Sequence, residues 1–151
     1  DYKKIAENLN KAGEICKQAG IQLCYHNHEF EFETLNGQLP FDILTNETDA
    51  GLVKIEPDLY WATVAGQDPV GLFKKHKGRV ALWHVKDMDK TPKKNFTEVG
   101  NGVIDFTSIF KNAKTSGMKH FFVEQDVCPG SPFDSISQSI GYIKSNLIKH
   151  L

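Results

Sequence analysis

The 151-residue chain has no apolar run near the roughly 20 residues needed to cross a bilayer, so nothing in it reads as a membrane anchor. It also lacks an excess of either charge. Eighteen Lys and Arg stand against 19 Asp and Glu, for a net charge of −1. That excludes the basic face a nucleic-acid binder needs, and there is no acidic tail. Cysteine is scarce and odd in number. Cys16, Cys24 and Cys128 form no C-x-x-C pair, which argues against a disulfide framework or a zinc ribbon. Cys24, inside an apolar run, reads as a small core residue. The densest basic cluster, "DKTPKKN", reads as a solvated loop. The chain begins inside a helical pattern with neither an initiator Met nor a signal peptide, so it reads as a piece of a longer protein. A soluble protein is expected, cytoplasmic or periplasmic, with any targeting segment upstream out of view.

What is present suffices for one core. At 40% hydrophobic residues, a single domain over 1–151 is expected, with no linker to divide it. Ile5, Leu9, Ala12, Ile15 and Cys16 recur at helical spacing up to Gly20. "IQLCYHNH", "GLVKIEPDLYW", "RVALWHVKD" and "KHFFVEQD" read as strands. Between and after them come helices at "PFDILTNET", "DPVGLFKKHKG", "DFTSIFKNAKTSG" and "SPFDSISQSIGYIKSNLIKHL", with a polar loop from Met88 to Val103. A helix followed by four strand–helix units, with apolar strands, predicts an α/β fold with a parallel sheet covered by helices. A doubly wound sheet and half of a (β/α)₈ barrel both fit that order.

Each strand begins apolar and ends in ionisable residues: "HNH" (26–28), "EPD" (56–58), "HVKD" (84–87) and "EQD" (124–126). In parallel α/β folds the carboxyl ends of the strands form the ligand-binding face. Strand alternation places His26 with His28, Glu56 with Asp58, His84 with Lys86, and Glu124 with Asp126. One ligand per strand gives His26, Asp58, His84 and Glu124 as a candidate metal set. Mixed nitrogen and oxygen donors suit Mn, Zn, Co or Fe better than calcium. Glu29 and Glu31 fall on the other strand face and are expected to meet solvent or a helix.

With these residues in view, the chain resembles the sugar phosphate isomerase/epimerase family, the xylose isomerase-like TIM barrels. "YHNHEFEF", "DLYW" with "AGQDPV", "GRVALWHVKDM", "EVGNGVIDF" and "FFVEQD" carry the resemblance, which covers essentially the whole chain. It implies the C-terminal half of a TIM barrel, strands five to eight, holding one divalent ion. Mn is the first expectation, with Zn, Co, Mg or Fe as others. The family's Glu, Asp, His, Glu ligand set implies Asp58, His84 and Glu124, while His26 stands where the epimerases have a glutamate. One of two opposed glutamate bases is thus replaced.

The expected activity is a metal-dependent isomerase or epimerase acting on a sugar, sugar phosphate or cyclitol, by proton abstraction next to a carbonyl. The alternatives are an inosose-dehydratase-type lyase, or a non-catalytic half-barrel that needs a homodimer partner or a missing N-terminal half. Glu124 is the first candidate base and His26 the second. Lys86 is a candidate oxyanion partner or acid, unless it is spent on an ion pair to Asp87 or Asp126. His28, Trp61 and Glu56 are candidate substrate contacts, with Glu56 one layer deeper in support. The glycines of "EVGNG" suit either a lid or phosphate contact or a plain turn. Barrel endonucleases acting at abasic sites share the scaffold, but the neutral charge speaks against a DNA surface.

Overall fold

A computed structural model describes all 151 residues. Helix α1 (Tyr2–Gln18) is capped by Asp1, whose carboxylate accepts from the Lys3 N–H. Strands β1 (Leu23–His26) and β2 (Val53–Glu56) pair in parallel, with Leu23 opposite Val53 and His26 opposite Glu56. Strands β3 (Leu82–Val85) and β6 (His120–Val123) pair likewise, with His84 opposite Phe122. Bridges Ile55–Val80 and Asp58–His84 join β2 to β3. The result is one parallel order, β1-β2-β3-β6, crossed over by α2 (Pro40–Glu47), α4 (Pro69–Lys75), α5 (Phe106–Lys111) and α6 (Ala113–Ser116), and followed by α7 (Pro132–Tyr142). Of the two arrangements that fit the strand–helix alternation, the half-barrel implied by the family resemblance is what forms.

Three boundaries differ from the sequence reading. The strand expected to run on through Trp61 ends at Glu56, because Asp58 caps a new helix, α3 (Leu59–Val64), by accepting from the Trp61 N–H at 2.9 Å. The segment read as a polar loop holds an antiparallel hairpin, β4 (Asp87–Met88) with β5 (Phe96–Thr97). Asp89 closes its turn by accepting from the Thr91 and Asn95 N–H groups, each at 3.0 Å. The closing helix passes into a wider turn over Ile143–Leu147 and a tighter one over Ile148–His150.

The core lies on the helix side of the sheet. Val53, Ile55, Trp83 and Val85 point there and are at most 2% exposed. Trp83 stacks on Phe73 with ring centroids 4.9 Å apart and meets the Phe110 edge at 5.6 Å. The other sheet face was expected to be apolar and covered, as in a sheet buried on both sides. Instead it carries half-buried Lys54, Glu56 and His84, with Phe122 50% exposed, because four strands curve without closing. An open groove of about 470 Å³ is lined by Lys114, Met118, Phe121 and Leu151 among others. It lies at the start of β6, at the opposite end of the strands from the ionisable clusters.

His76 gives the fold an acid-sensitive point. Its ring packs edge-on to Phe41, and burial pushes its pKa down to about 4. Between that value and the usual 6.5 the unfolded chain takes up a proton that the folded chain refuses, so stability falls as pH falls through this window. His76→Gln is expected to reduce the stability lost between pH 7 and pH 4.5 by on the order of 1–2 kcal/mol, allowing for partial exposure. Urea midpoints at the two pH values check this; an unchanged difference would count against it.

Candidate active site

The four strand-end clusters converge. His26 leaves β1 with its Nε2 3.7 Å from Asp58 Oδ2, and its ring lies 4.0 Å from that of His84. Lys86 Nζ sits 3.0 Å from Asp58 Oδ2, 2.9 Å from Glu124 Oε2 and 3.1 Å from Asp126 Oδ2. His84 bridges two carboxylates, Glu56 Oε1 at its Nε2 and Glu124 Oε2 at its Nδ1, both at 2.7 Å. The ion pairs expected for Lys86 are therefore partly corrected. Asp126 is a partner, joined by Asp58 and Glu124, whereas Asp87 turns away to backbone amides.

Burial and charge compete here. Desolvation raises the Asp58 carboxyl above its usual range, against Lys86 and the Trp61 N–H. Burial also acts on Lys86, but its carboxylate partners outweigh it and hold the ammonium above its ordinary value. At Glu124 burial is the largest single influence and pushes the carboxyl up, but the hydrogen bonds and charges of Lys86 and His84 together outweigh it, so this carboxylate titrates low. His26 is pushed down, first by burial and then by His84.

The donor set fits a divalent ion. His26, Asp58 and His84 each offer one atom, and these lie within 4.8 Å of one another. Asp58 is fully buried; its Oδ1 caps α3, and its Oδ2 receives no well-directed hydrogen bond although Lys86 lies beside it. An N, O, N set of this kind suits a transition metal. Glu124, the fourth expected ligand, stands outside that trio, tied to His84 and Lys86.

Of the expected substrate contacts, His28 and Trp61 lie side by side, ring centroids 5.8 Å apart. Glu56 is occupied by His84, in keeping with a supporting place. The expectation for Glu31 fails. A single 3₁₀ turn at Phe30–Phe32 folds its side chain back to 1% exposure, where it accepts from the Tyr25 hydroxyl at 2.5 Å and the His28 N–H at 2.7 Å. Glu29 lies just before that turn.

The sequence reading also missed Asn27, fully buried, whose Oδ1 accepts from the Asp58 N–H at 3.2 Å and so positions the central carboxylate. It missed the role of Asp87 as well. That carboxylate is 1% exposed and accepts from the N–H groups of Met88, Gly100, Gly102 and Ile104, fixing the "VGNG" loop. Glu98 pins the same loop to α7 by accepting from Ser135 Oγ at 2.7 Å. Polar residues flanking the strand-end clusters were the available signal, but their partners are distant in sequence.

The sequence and the fold have known counterparts. An inosose dehydratase of Clostridium perfringens is 29% identical, over 95% of this chain and 54% of its own length. The crystal structure of a sugar phosphate isomerase/epimerase from Parabacteroides distasonis superposes with a TM-score of 0.88 at 31% identity, over 97% of this chain and 52% of that one. The IOLI protein, solved with a bound zinc atom, shares the fold at 15% identity, with a TM-score of 0.72 over 99% of this chain and 57% of that one. The chain thus spans about half the length of the relatives it matches. The profile of one family matches residues 1–146, and the chain belongs to it: the xylose isomerase-like TIM barrels.

Proposed function

We propose that the chain carries the metal-binding part of an active site that removes a proton next to the carbonyl of a carbohydrate, as an isomerase or epimerase does. The observation that carries this reading is the meeting of His26, Asp58, His84, Lys86 and Glu124 at the carboxyl ends of four parallel strands. His26, Asp58 and His84 would hold the ion, with Glu124 adjoining. When bound, the ion supplies Lewis acidity to the carbonyl oxygen. Manganese is the first choice, with zinc, cobalt, magnesium or iron as the others.

Glu124 is the base. Its low pKa keeps it ionised, and its side chain is 42% exposed, open to a substrate. Lys86, held between Asp58 and Glu124, places a fixed positive charge where an oxyanion develops. Asn27 and Glu56 keep Asp58 and His84 in place, and His28 and Trp61 form a wall for the ring.

A second reading, dehydration, is favoured by His26. With His26 in place of a second carboxylate base, proton abstraction is left to one face, as an elimination of water requires, and several relatives are named inosose dehydratases. The experiment is hydrogen exchange from D₂O into inosose or a ketohexose, followed by NMR with Mn²⁺ present. Exchange at the carbon next to the carbonyl is expected to fall at least 100-fold in Glu124→Gln. Exchange that is indifferent to that substitution would overturn the role of Glu124. Loss of water, seen as an enone absorbance, would select the dehydratase reading.

The metal part has its own check. At 100 times its Kd, Mn²⁺ or Zn²⁺ is expected to stabilise the chain by about 2.7 kcal/mol, and His84→Ala to remove most of that. A thermal shift equal in both proteins would refute the site.

We further propose that 1–151 acts as one domain and that a second half completes it, either another copy or an N-terminal four-strand half. β1 and β6 each keep an unpaired edge, and Ile15, Ile21, Phe133 and Leu151 beside them are 56–85% exposed.

A further inference from the structure

Lys86 carries an ammonium that cannot turn to water. It is 2% exposed, and its Nζ lies 5.8 Å from the centre of the Phe96 ring. Phe96 is fixed there by stacking on Tyr60, with ring centroids 4.4 Å apart. The Tyr60 hydroxyl ties down the same hairpin by donating to the Lys94 carbonyl at 2.5 Å. A buried ammonium without a counter-charge is too costly to persist, so Lys86 must keep a carboxylate at every stage. Which carboxylate it keeps decides what is left for an ion.

Three are within reach, and they are not equivalent. The Val85–Val123 pairing sets Lys86 beside the segment 124–126, where β3 and β6 end. Lys86 Nζ donates well-directed hydrogen bonds to both carboxylate oxygens of Asp126, each at 3.1 Å. Asp58 Oδ2 is no farther away, at 3.0 Å, yet it receives no well-directed bond. The other oxygen of Asp58 is committed to the Trp61 N–H. Glu124 Oε2, 2.9 Å from Nζ, is shared with His84 Nδ1. Asp87, next in the chain, is spent on four amides and takes no part. Asp126 is also outside the trio whose donor atoms converge, and its side chain is 35% exposed where that of Asp58 is fully buried. Its two-oxygen hold draws the ammonium toward the open side of the site.

We infer that Asp126 is a positioning residue for the metal site: it grips Lys86 with both oxygens and so keeps the ammonium from closing on Asp58 Oδ2, the oxygen an ion needs. Without Asp126, Lys86 turns fully onto Asp58 and Glu124, and an ion must displace that pair before it can bind. The inference rests on the metal reading above and deepens it by giving a role to a carboxylate that is not a ligand.

Calorimetric titration with Mn²⁺ of the wild type, Asp126→Asn, Lys86→Met and the double variant tests it. Asp126→Asn is expected to weaken Mn²⁺ binding by about tenfold, the scale of one charge-assisted hydrogen bond redirected onto a ligand. In the Lys86→Met background the same substitution should change affinity by less than about threefold, because no ammonium remains to be held. An equal loss in both backgrounds would mean that Asp126 acts as a ligand or through its bare charge, and would overturn the inference while leaving the metal site standing. No loss in the wild-type background would overturn it as well. A crystal structure of the Zn²⁺-loaded wild type does not depend on any variant folding. Lys86 is expected there on both oxygens of Asp126, with Asp58 on the zinc; Lys86 released from Asp126 would refute the role. If the wild type binds neither ion, the metal reading falls and the inference falls with it.

Discussion

Lys86→Ala is expected to destabilise the metal-free chain by about 3–5 kcal/mol, the cost typical of breaking a buried ion pair on one side. Lys86 is 2% exposed and Asp58 fully buried, so removing the ammonium leaves a carboxylate without water and with no counter-charge at bonding distance. Glu124 and Asp126 lose the same partner, but their side chains are 42% and 35% exposed and solvent compensates them in part. Two further measurements give the result its meaning. Lys86→Met with Asp58→Asn should recover a good part of the loss, because a neutral pair no longer demands compensation. Saturating Mn²⁺ should also shrink the Lys86→Ala penalty, because a bound cation supplies charge where the ammonium stood. Urea unfolding of the three proteins, with and without metal, checks both. A Lys86→Ala loss below about 1 kcal/mol would show that Asp58 is not the charge the fold must neutralise.

Asp87→Ala is the second large effect, expected to cost about 3 kcal/mol or more. One carboxylate receives four main-chain N–H groups, and an unpaired buried amide costs about 1–3 kcal/mol. The total stays below the simple sum because the loop can open and hydrate its amides. Asp87→Asn keeps the shape but turns a donor toward donors, so a loss of roughly half that size is expected. Amide exchange at Gly100, Gly102 and Ile104 should accelerate in both variants, well beyond the change at Trp83 in the core. Protection factors that move equally at all these amides would mean that Asp87 supports the whole fold and not the loop.

Much of the architecture was legible because it follows from local rules. The helix of residues 2–18 follows from its apolar spacing, and the helices starting at Pro40, Pro69 and Phe106 begin where Pro or an Asp cap places them. The alternation of apolar strands with helices yields the parallel strand order, and the family resemblance selects the half-barrel from the two arrangements that order allows. Inference went wrong where a single polar residue redirected the chain. Asp58 could be counted as a ligand, but not seen to cap a helix as well, since one carboxylate serving two elements leaves no periodic trace. Glu31 was placed by extending strand alternation past His26, and the 3₁₀ turn at Phe30–Phe32 ended that alternation. The hairpin at 87–97 was hidden because its strands are two residues each, too short to show a period of two.

The sequence by itself determined which residue types stand at the ends of the four strands, and hence that His26, Asp58, His84, Lys86 and Glu124 would share one rim. Side-chain alternation is set by the extended backbone, and it holds as far as each strand runs. Only the tertiary structure decided who is spent on whom: Lys86 on three carboxylates, Glu56 on His84, Asp87 on four amides. Those partnerships join residues as much as 40 positions apart, at distances set by strand register and loop curvature. No local pattern encodes them, and they decide which charges remain free for a ligand.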